Sequence, residues 1–168
     1  MPGSLDGILV LDLSQGPSAA LTAMMLADHG ARVVRLVSTP DAALREGGFV
    51  VWDRSKECVL VAAADLAGGG GQCAEWVRHA DVLVEDFPPS ARPDWLAHSE
   101  LATLNGRLVS CSITAYGHCG PHRDEPANDD LVLARTGVLD SMPGFRSGPI
   151  HTVHPLPSTG AGIMGALG

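Results

Sequence analysis

The stretch Leu5 to Ala31, LDGILVLDLSQGPSAALTAMMLADHGA, constrains the fold most, because it holds a strand, a turn and a helix with a signal at every boundary. Ile8 to Leu13 is a short, almost wholly apolar run, which fits a strand covered on both faces, as in a parallel sheet. In the Ser14-Gln15-Gly16-Pro17 turn, Ser14 can cap, Gly16 lets the backbone turn tightly, and Pro17 suits the first turn of a helix. That helix is expected to run to about His29, with Leu21, Met24, Met25 and Ala27 as its apolar stripe and Gly30 as its stop.

The rest of the chain repeats this unit. Arg32 to Val37, Cys58 to Ala63, Asp81 to Glu85 and Arg107 to Thr114 read as four more strands. Helices are expected from about Gln72 to His79, Asp94 to Leu104, Asp129 to Thr136 and Ser158 to Gly168. Ser38 to Asp41 is a turn cluster, the stretch after it to Lys56 is too mixed to assign, and Met142 to Pro157, rich in Pro, Gly and His, reads as loop. Alternating strands and helices predict an α/β fold, a Rossmann-like three-layer domain with a mainly parallel sheet of five or six strands. Ligands of such sheets sit at the carboxyl ends of strands, so the chemistry belongs in the turns at Ser14–Pro17, Ser38–Asp41, Asp86–Ser90 and Thr114–Pro121.

Charge and composition narrow the possibilities. Nineteen acidic against eleven basic residues give a net charge of -8, with Lys56 the only lysine, so the summed field repels nucleic-acid backbones. No apolar run approaches the roughly 18 residues of a membrane span, and the N-terminus lacks the basic-then-apolar order of a signal peptide. The expected location is cytoplasmic, with Cys58, Cys73, Cys111 and Cys119 as free thiols. Gly68-Gly69-Gly70-Gly71 lacks the Lys-Ser/Thr of a phosphate loop and reads as a linker. His118, His122, His151 and His154, with Cys119 and Asp124, invite a metal site, but Gly117, Gly120 and Pro121 break the helix that would align them, and no metal is expected.

Several motifs, in order, resemble the N-terminal part of the family III CoA transferases, which include the α-methylacyl-CoA racemases. They are LDGILVLDL followed by GP, LADHGARVVRL, DRSKECV, ADVLVEDFPP, LNGRLVSCSITAYGHCGPHRDEPANDDL and the closing Gly-rich helix. The resemblance implies a protein that moves CoA between an acyl-CoA thioester and a carboxylic acid, with coenzyme A or acyl-CoA as substrate. It covers roughly the first half of a family chain, whose members interlock as dimers. Residues 1–168 are therefore expected to be the N-terminal part of a large domain, truncated or one piece of a split protein. Such a piece would form a homo-oligomer, or a hetero-oligomer with a complementary chain.

The resemblance also implies roles for residues. The family's nucleophilic Asp falls on Ser158, so transfer by that route is expected to be lost. The racemase His falls on Asn128, which cannot be a general base; Asp129 beside it is either an acid/base group or a helix cap. Gly16, Arg54, Lys56, Asp86, Phe87, Tyr116 and Gly117 are the expected CoA-binding set, with Arg54 and Lys56 on its phosphates and Asp86-Phe87-Pro88 along its thiol arm. A non-catalytic partner of a complete subunit, or a racemase-like protein, are the other two readings.

Overall fold

The computed structural model describes residues 3–38, 49–142, 144, 148 and 150–168. In chain order the elements are β1 (Leu9–Asp12), α1 (Pro17–Asp28), β2 (Arg32–Val37), α2 (Phe49–Trp52), β3 (Lys56–Leu60), α3 (Ala63–Gly68), α4 (Gly71–His79), β4 (Val82–Glu85), α5 (His98–Leu104), β5 (Val109–Ser112), α6 (Asp129–Arg135), α7 (Val138–Ser141) and α8 (Leu156–Leu167). Two 3-10 turns, Pro89–Ala91 and Asp94–Leu96, lie between β4 and α5.

The five strands form one all-parallel sheet in the order β3-β2-β1-β4-β5. Neighbours within each apolar run point to opposite faces, as the two-residue period of a strand requires. Val10, Val33 and Val84 pack with Ala19 and Ala23 of α1 on one face, whereas Leu11, Val34 and Leu83 pack with Val77, Leu96 and Leu101 on the other. The result is the expected three-layer α/β domain.

Against α1, helix α8 comes unusually close because its contact positions are glycines. A Cβ on Gly162 would lie 2.8 Å from the Ser18 carbonyl oxygen, and one on Gly165 2.8 Å from Thr22 Oγ1. The buried Thr22 hydroxyl shares its proton between the carbonyls of Ser18 at 3.0 Å and Gly162 at 2.9 Å, tying the two helices at the contact. This contact carries the start of α8, and Ser158 with it, over the sheet.

Several expected boundaries shift for physical reasons. β3 begins at Lys56 rather than Cys58, since the polar Lys56 and Glu57 pair with Asp12 and Arg32 respectively and so belong in the sheet. The helix expected over Asp94 to Leu104 is divided by Ala97, whose φ of -57° and ψ of 141° are extended. The short helices α3 and α7 were not expected. Positions 39–41 of the expected Ser38–Asp41 turn, and the mixed stretch after it up to position 48, lie outside the described residues.

Candidate functional site

The strand order reverses direction at β1, which has β2 on one side and β4 on the other. Such a reversal opens a crevice above the carboxyl ends of the two central strands. Here the loop after β1 meets the loop after β4. One carboxylate joins them: Asp86 accepts the backbone N–H groups of Gln15 at 2.6 Å, Gly16 at 3.1 Å and Ala19 at 3.2 Å. Ser14 was the expected cap of α1, but its side chain does not serve there; the N-cap position is Gly16, and Asp86 satisfies the open amides from across the crevice. Burial pushes the Asp86 carboxyl above its ordinary range, and the three amide bonds pull it only part of the way back.

Glu85, fully buried, fixes the next residue. Its Oε1 accepts Arg92 Nε at 2.7 Å and its Oε2 accepts the Phe87 amide at 2.8 Å. Phe87 and Pro88 then form part of the wall of a cavity of about 550 Å³, with Ile113, Ala115 and Tyr116 from the segment after β5. Gly117 takes a φ of +84°, a conformation that suits only glycine, and donates its N–H to Thr114 Oγ1 at 2.8 Å. Tyr116 is held from outside by Arg135, whose guanidinium lies 4.9 Å from the ring centroid. Arg135 also pairs with Glu125 at 2.7 Å, and the hydrogen bond from His122 together with Arg135 holds that carboxyl below its ordinary range.

The remaining side of the cavity comes from the starts of α6 and α8. Asn128 is the N-cap of α6, its Oδ1 accepting the Leu131 amide at 2.9 Å. Asp129, where a cap had been the alternative expectation, instead reaches across to α8: its Oδ1 accepts the Ser158 amide at 3.0 Å and the Ser158 hydroxyl at 2.7 Å. Both side chains line the cavity. A carboxylate and a hydroxyl thus meet in the lining of a cleft that combines apolar walls with Arg123, Asp124 and Glu125.

The expected site residues divide into two groups. Asp86, Phe87, Tyr116, Asp129 and Ser158 line one cavity, and Gly16 is bound to Asp86 at its edge. Arg54 and Lys56 are not among the residues lining that cavity. Lys56 opens β3 in register with Val33 near the start of β2, and its ammonium is wholly buried, 2.7 Å from Asp12 Oδ2 and 2.9 Å from the Ala20 carbonyl oxygen. Arg54 forms a two-pronged pair with Asp28, the last residue of α1. The contact sequence reading missed is Asp129 with Ser158, which are 29 positions apart. The only hint was the Gly162 and Gly165 spacing that brings α8 down onto α1. No cluster of His, Cys, Asp and Glu suited to a metal occurs among the described residues.

Comparison with known proteins matches this arrangement to one family. A family model described as CoA-transferase family III matches residues 5–168. The acetyl-CoA:oxalate CoA-transferase of Acetobacter aceti is 32% identical over 159 residues, covering 88% of this chain and 40% of the relative. A probable fatty acyl-CoA transferase of Mycobacterium tuberculosis, Rv3272, is 30% identical over 83% of this chain and 38% of its own. The crystal structure of Rv3272 superimposes with a TM-score of 0.82 at 29% identity, covering 98% of this chain and 48% of that one. The chain therefore spans about 40% of the length of the curated relatives it matches.

Proposed function

This chain belongs to CoA-transferase family III, and we propose that the cleft holding Asp129 and Ser158 receives the thioester end of an acyl-CoA, in a protein that moves CoA between an acyl thioester and a carboxylic acid. The observation that carries this reading is the construction of the cleft. Apolar walls from Phe87, Pro88, Ile113 and Ala115 suit a pantetheine arm and acyl chain, and the Asp129–Ser158 pair in the same lining supplies polar groups for the thioester end. Ser158 stands where the resemblance places the family's nucleophilic Asp, and a serine there would not pass CoA on through an anhydride. The racemase reading has less support, because Asn128 spends its side chain capping α6 and an amide has no proton to trade. Four free cysteines among the described residues suit a reducing, cytoplasmic setting, and no described helix is long and apolar enough to cross a membrane.

Isothermal titration with CoA and with acetyl-CoA tests the reading. Ala115 is exposed at the cleft wall, so Ala115→Trp fills the space without disturbing the core. Binding to the wild type and its loss in the variant are expected. No binding to the wild type at millimolar ligand, or unchanged binding in Ala115→Trp, would overturn it.

A second reading, that the chain is an interaction partner of a complete subunit, rests on one surface. Helix α8 leaves Met164 66% and Leu167 74% exposed, and the edge strand β5 leaves Val109 59% exposed. Light scattering coupled to size exclusion decides the point: self-association or capture of a complete subunit supports it, and a monomer over a wide concentration range that captures none counts against it.

A further inference from the structure

A second cavity, of about 590 Å³, shares only Pro89 and Arg123 with the lining of the cleft. The two-residue period of β5 and the residue after it lets one segment serve both. Cys111 and Ile113 pack on the face of the sheet that carries α1, and Ile113 lines the cleft; Ser112 between them belongs to the opposite face. There it stands in register with Glu85, the buried carboxylate that accepts Arg92 Nε at 2.7 Å, and Arg92 lines the second cavity. Gly117, with its φ of +84°, turns the chain so that His118 returns to the end of the strand. His118 Nε2 lies 2.7 Å from Ser112 Oγ, and His118 lines the same cavity as Arg92.

We propose that Ser112 and His118 form a hydrolytic site for carboxylic esters, separate from the cleft, with Ser112 as nucleophile and His118 as general base. A hydroxyl is a weak nucleophile unless a base at hydrogen-bond distance takes its proton, and the 2.7 Å approach of Nε2 meets that need. With the ring proton on Nδ1, Nε2 accepts the serine hydroxyl. Ser112 Oγ attacks the ester carbonyl as its proton passes to Nε2. The C–O bond to the alcohol breaks, and the alcohol leaves with that proton, giving an acyl-serine and a neutral imidazole. Water attacks the acyl-serine and gives one proton to Nε2; the carboxylic acid departs as His118 returns the proton to Ser112 Oγ. Arg92 and Arg123 line the cavity and supply N–H donors for the charge that develops on the carbonyl oxygen. Glu85 and the Leu96 carbonyl oxygen, at 2.6 Å, hold Arg92 in place for this. Pro89, Pro93 and Trp95 give the cavity an apolar wall, and Asp94 and Glu100 balance its two arginines, so the substrate class is an uncharged ester. Nothing in this site depends on the thioester reading of the cleft.

The test treats the full chain with an alkyl fluorophosphonate, which phosphonylates activated serines with loss of fluoride, and maps the product by peptide mass spectrometry. Hydrolysis of para-nitrophenyl acetate is followed alongside. Phosphonylation of Ser112 is expected, absent from Ser112→Ala and about 10²-fold slower in His118→Gln, with ester hydrolysis reduced in parallel. Glutamine keeps a hydrogen-bonding group beside the serine and removes the base, so a pair that only fixes the turn would leave the rate unchanged in His118→Gln, and that result would overturn the proposal. Hydrolysis that persists in Ser112→Ala but is lost in His118→Gln would show the imidazole acting alone and overturn it as well. A label on Ser158 with none on Ser112, or no label under conditions that label a serine esterase to completion, would do the same. The mapping is done on the wild type, so it holds even if a variant fails to fold.

Discussion

Lys56 and Asp12 form a fully buried ion pair, Nζ to Oδ2 at 2.7 Å with neither side chain exposed, which joins the start of β3 to the end of β1 beneath α1. Asp12 Oδ1 also accepts the Ser14 amide at 2.8 Å, so the same carboxylate shapes the first residue of the loop that meets Asp86. The single lysine of the chain is a part of the scaffold.

Removing one partner leaves the other charged and buried. Lys56→Met is expected to cost about 3–5 kcal/mol of stability, and the pair of changes Lys56→Met with Asp12→Leu to cost less than Lys56→Met alone. Urea unfolding monitored by circular dichroism checks both. If Lys56→Met costs under about 1 kcal/mol, the range of an exposed pair, the scaffold role is wrong.

The α1–α8 contact predicts opposite effects for two glycines of one helix. At Gly162 a Cβ would meet the Ser18 carbonyl, a backbone atom that cannot turn aside, so Gly162→Ala should cost about 1–3 kcal/mol. At Gly160 a Cβ meets nothing within 4 Å, so Gly160→Ala should gain about 0.5–1 kcal/mol from helix propensity. Thermal unfolding of the two variants should shift in opposite directions, and a shared direction would contradict the packing described.

Asp86 gives a pH dependence whose sign follows from its environment. Its carboxyl is raised in the folded chain, chiefly by burial, so the folded state holds the proton more tightly than the unfolded one. The resulting stability is fully present below the unfolded value of about 3.9 and is lost as pH rises through the folded value. Asp86→Asn carries no such charge. Its stability relative to wild type should therefore rise as the pH goes from about 4 toward neutrality. Denaturant unfolding of both proteins across that interval measures the difference, and a fall with rising pH would show that the three amide bonds outweigh burial.

Much of the fold was legible because it is written in local pattern. Arg32 to Val37 is a strand at the boundaries expected of it, and β1, β4 and β5 lie inside the apolar runs that announced them. The pattern misled where polar residues are buried by pairing: Lys56 and Glu57 do not look like strand residues until Asp12 and Arg32 are seen beside them. The same limit governs the site. Phe87 and Tyr116 could be placed on turns that follow strands, where such sheets bind. The pairings of Lys56 and Arg54 could not be read, because their partners lie 44 and 26 positions away. The Asp129–Ser158 pair depends on how two helices meet, and the Gly162 and Gly165 spacing in α8 is its one local mark.

Titration of the isotopically labelled chain with CoA and acetyl-CoA, followed by amide NMR shifts, tests the central claim most directly. The account predicts that the largest shifts fall on Phe87, Tyr116, Asp129 and Ser158, with Arg54 and Lys56 scarcely moved, because the first four line the cleft and the last two are committed elsewhere. Shifts centred on Arg54 and Lys56 and absent from Asp129 and Ser158 would contradict it.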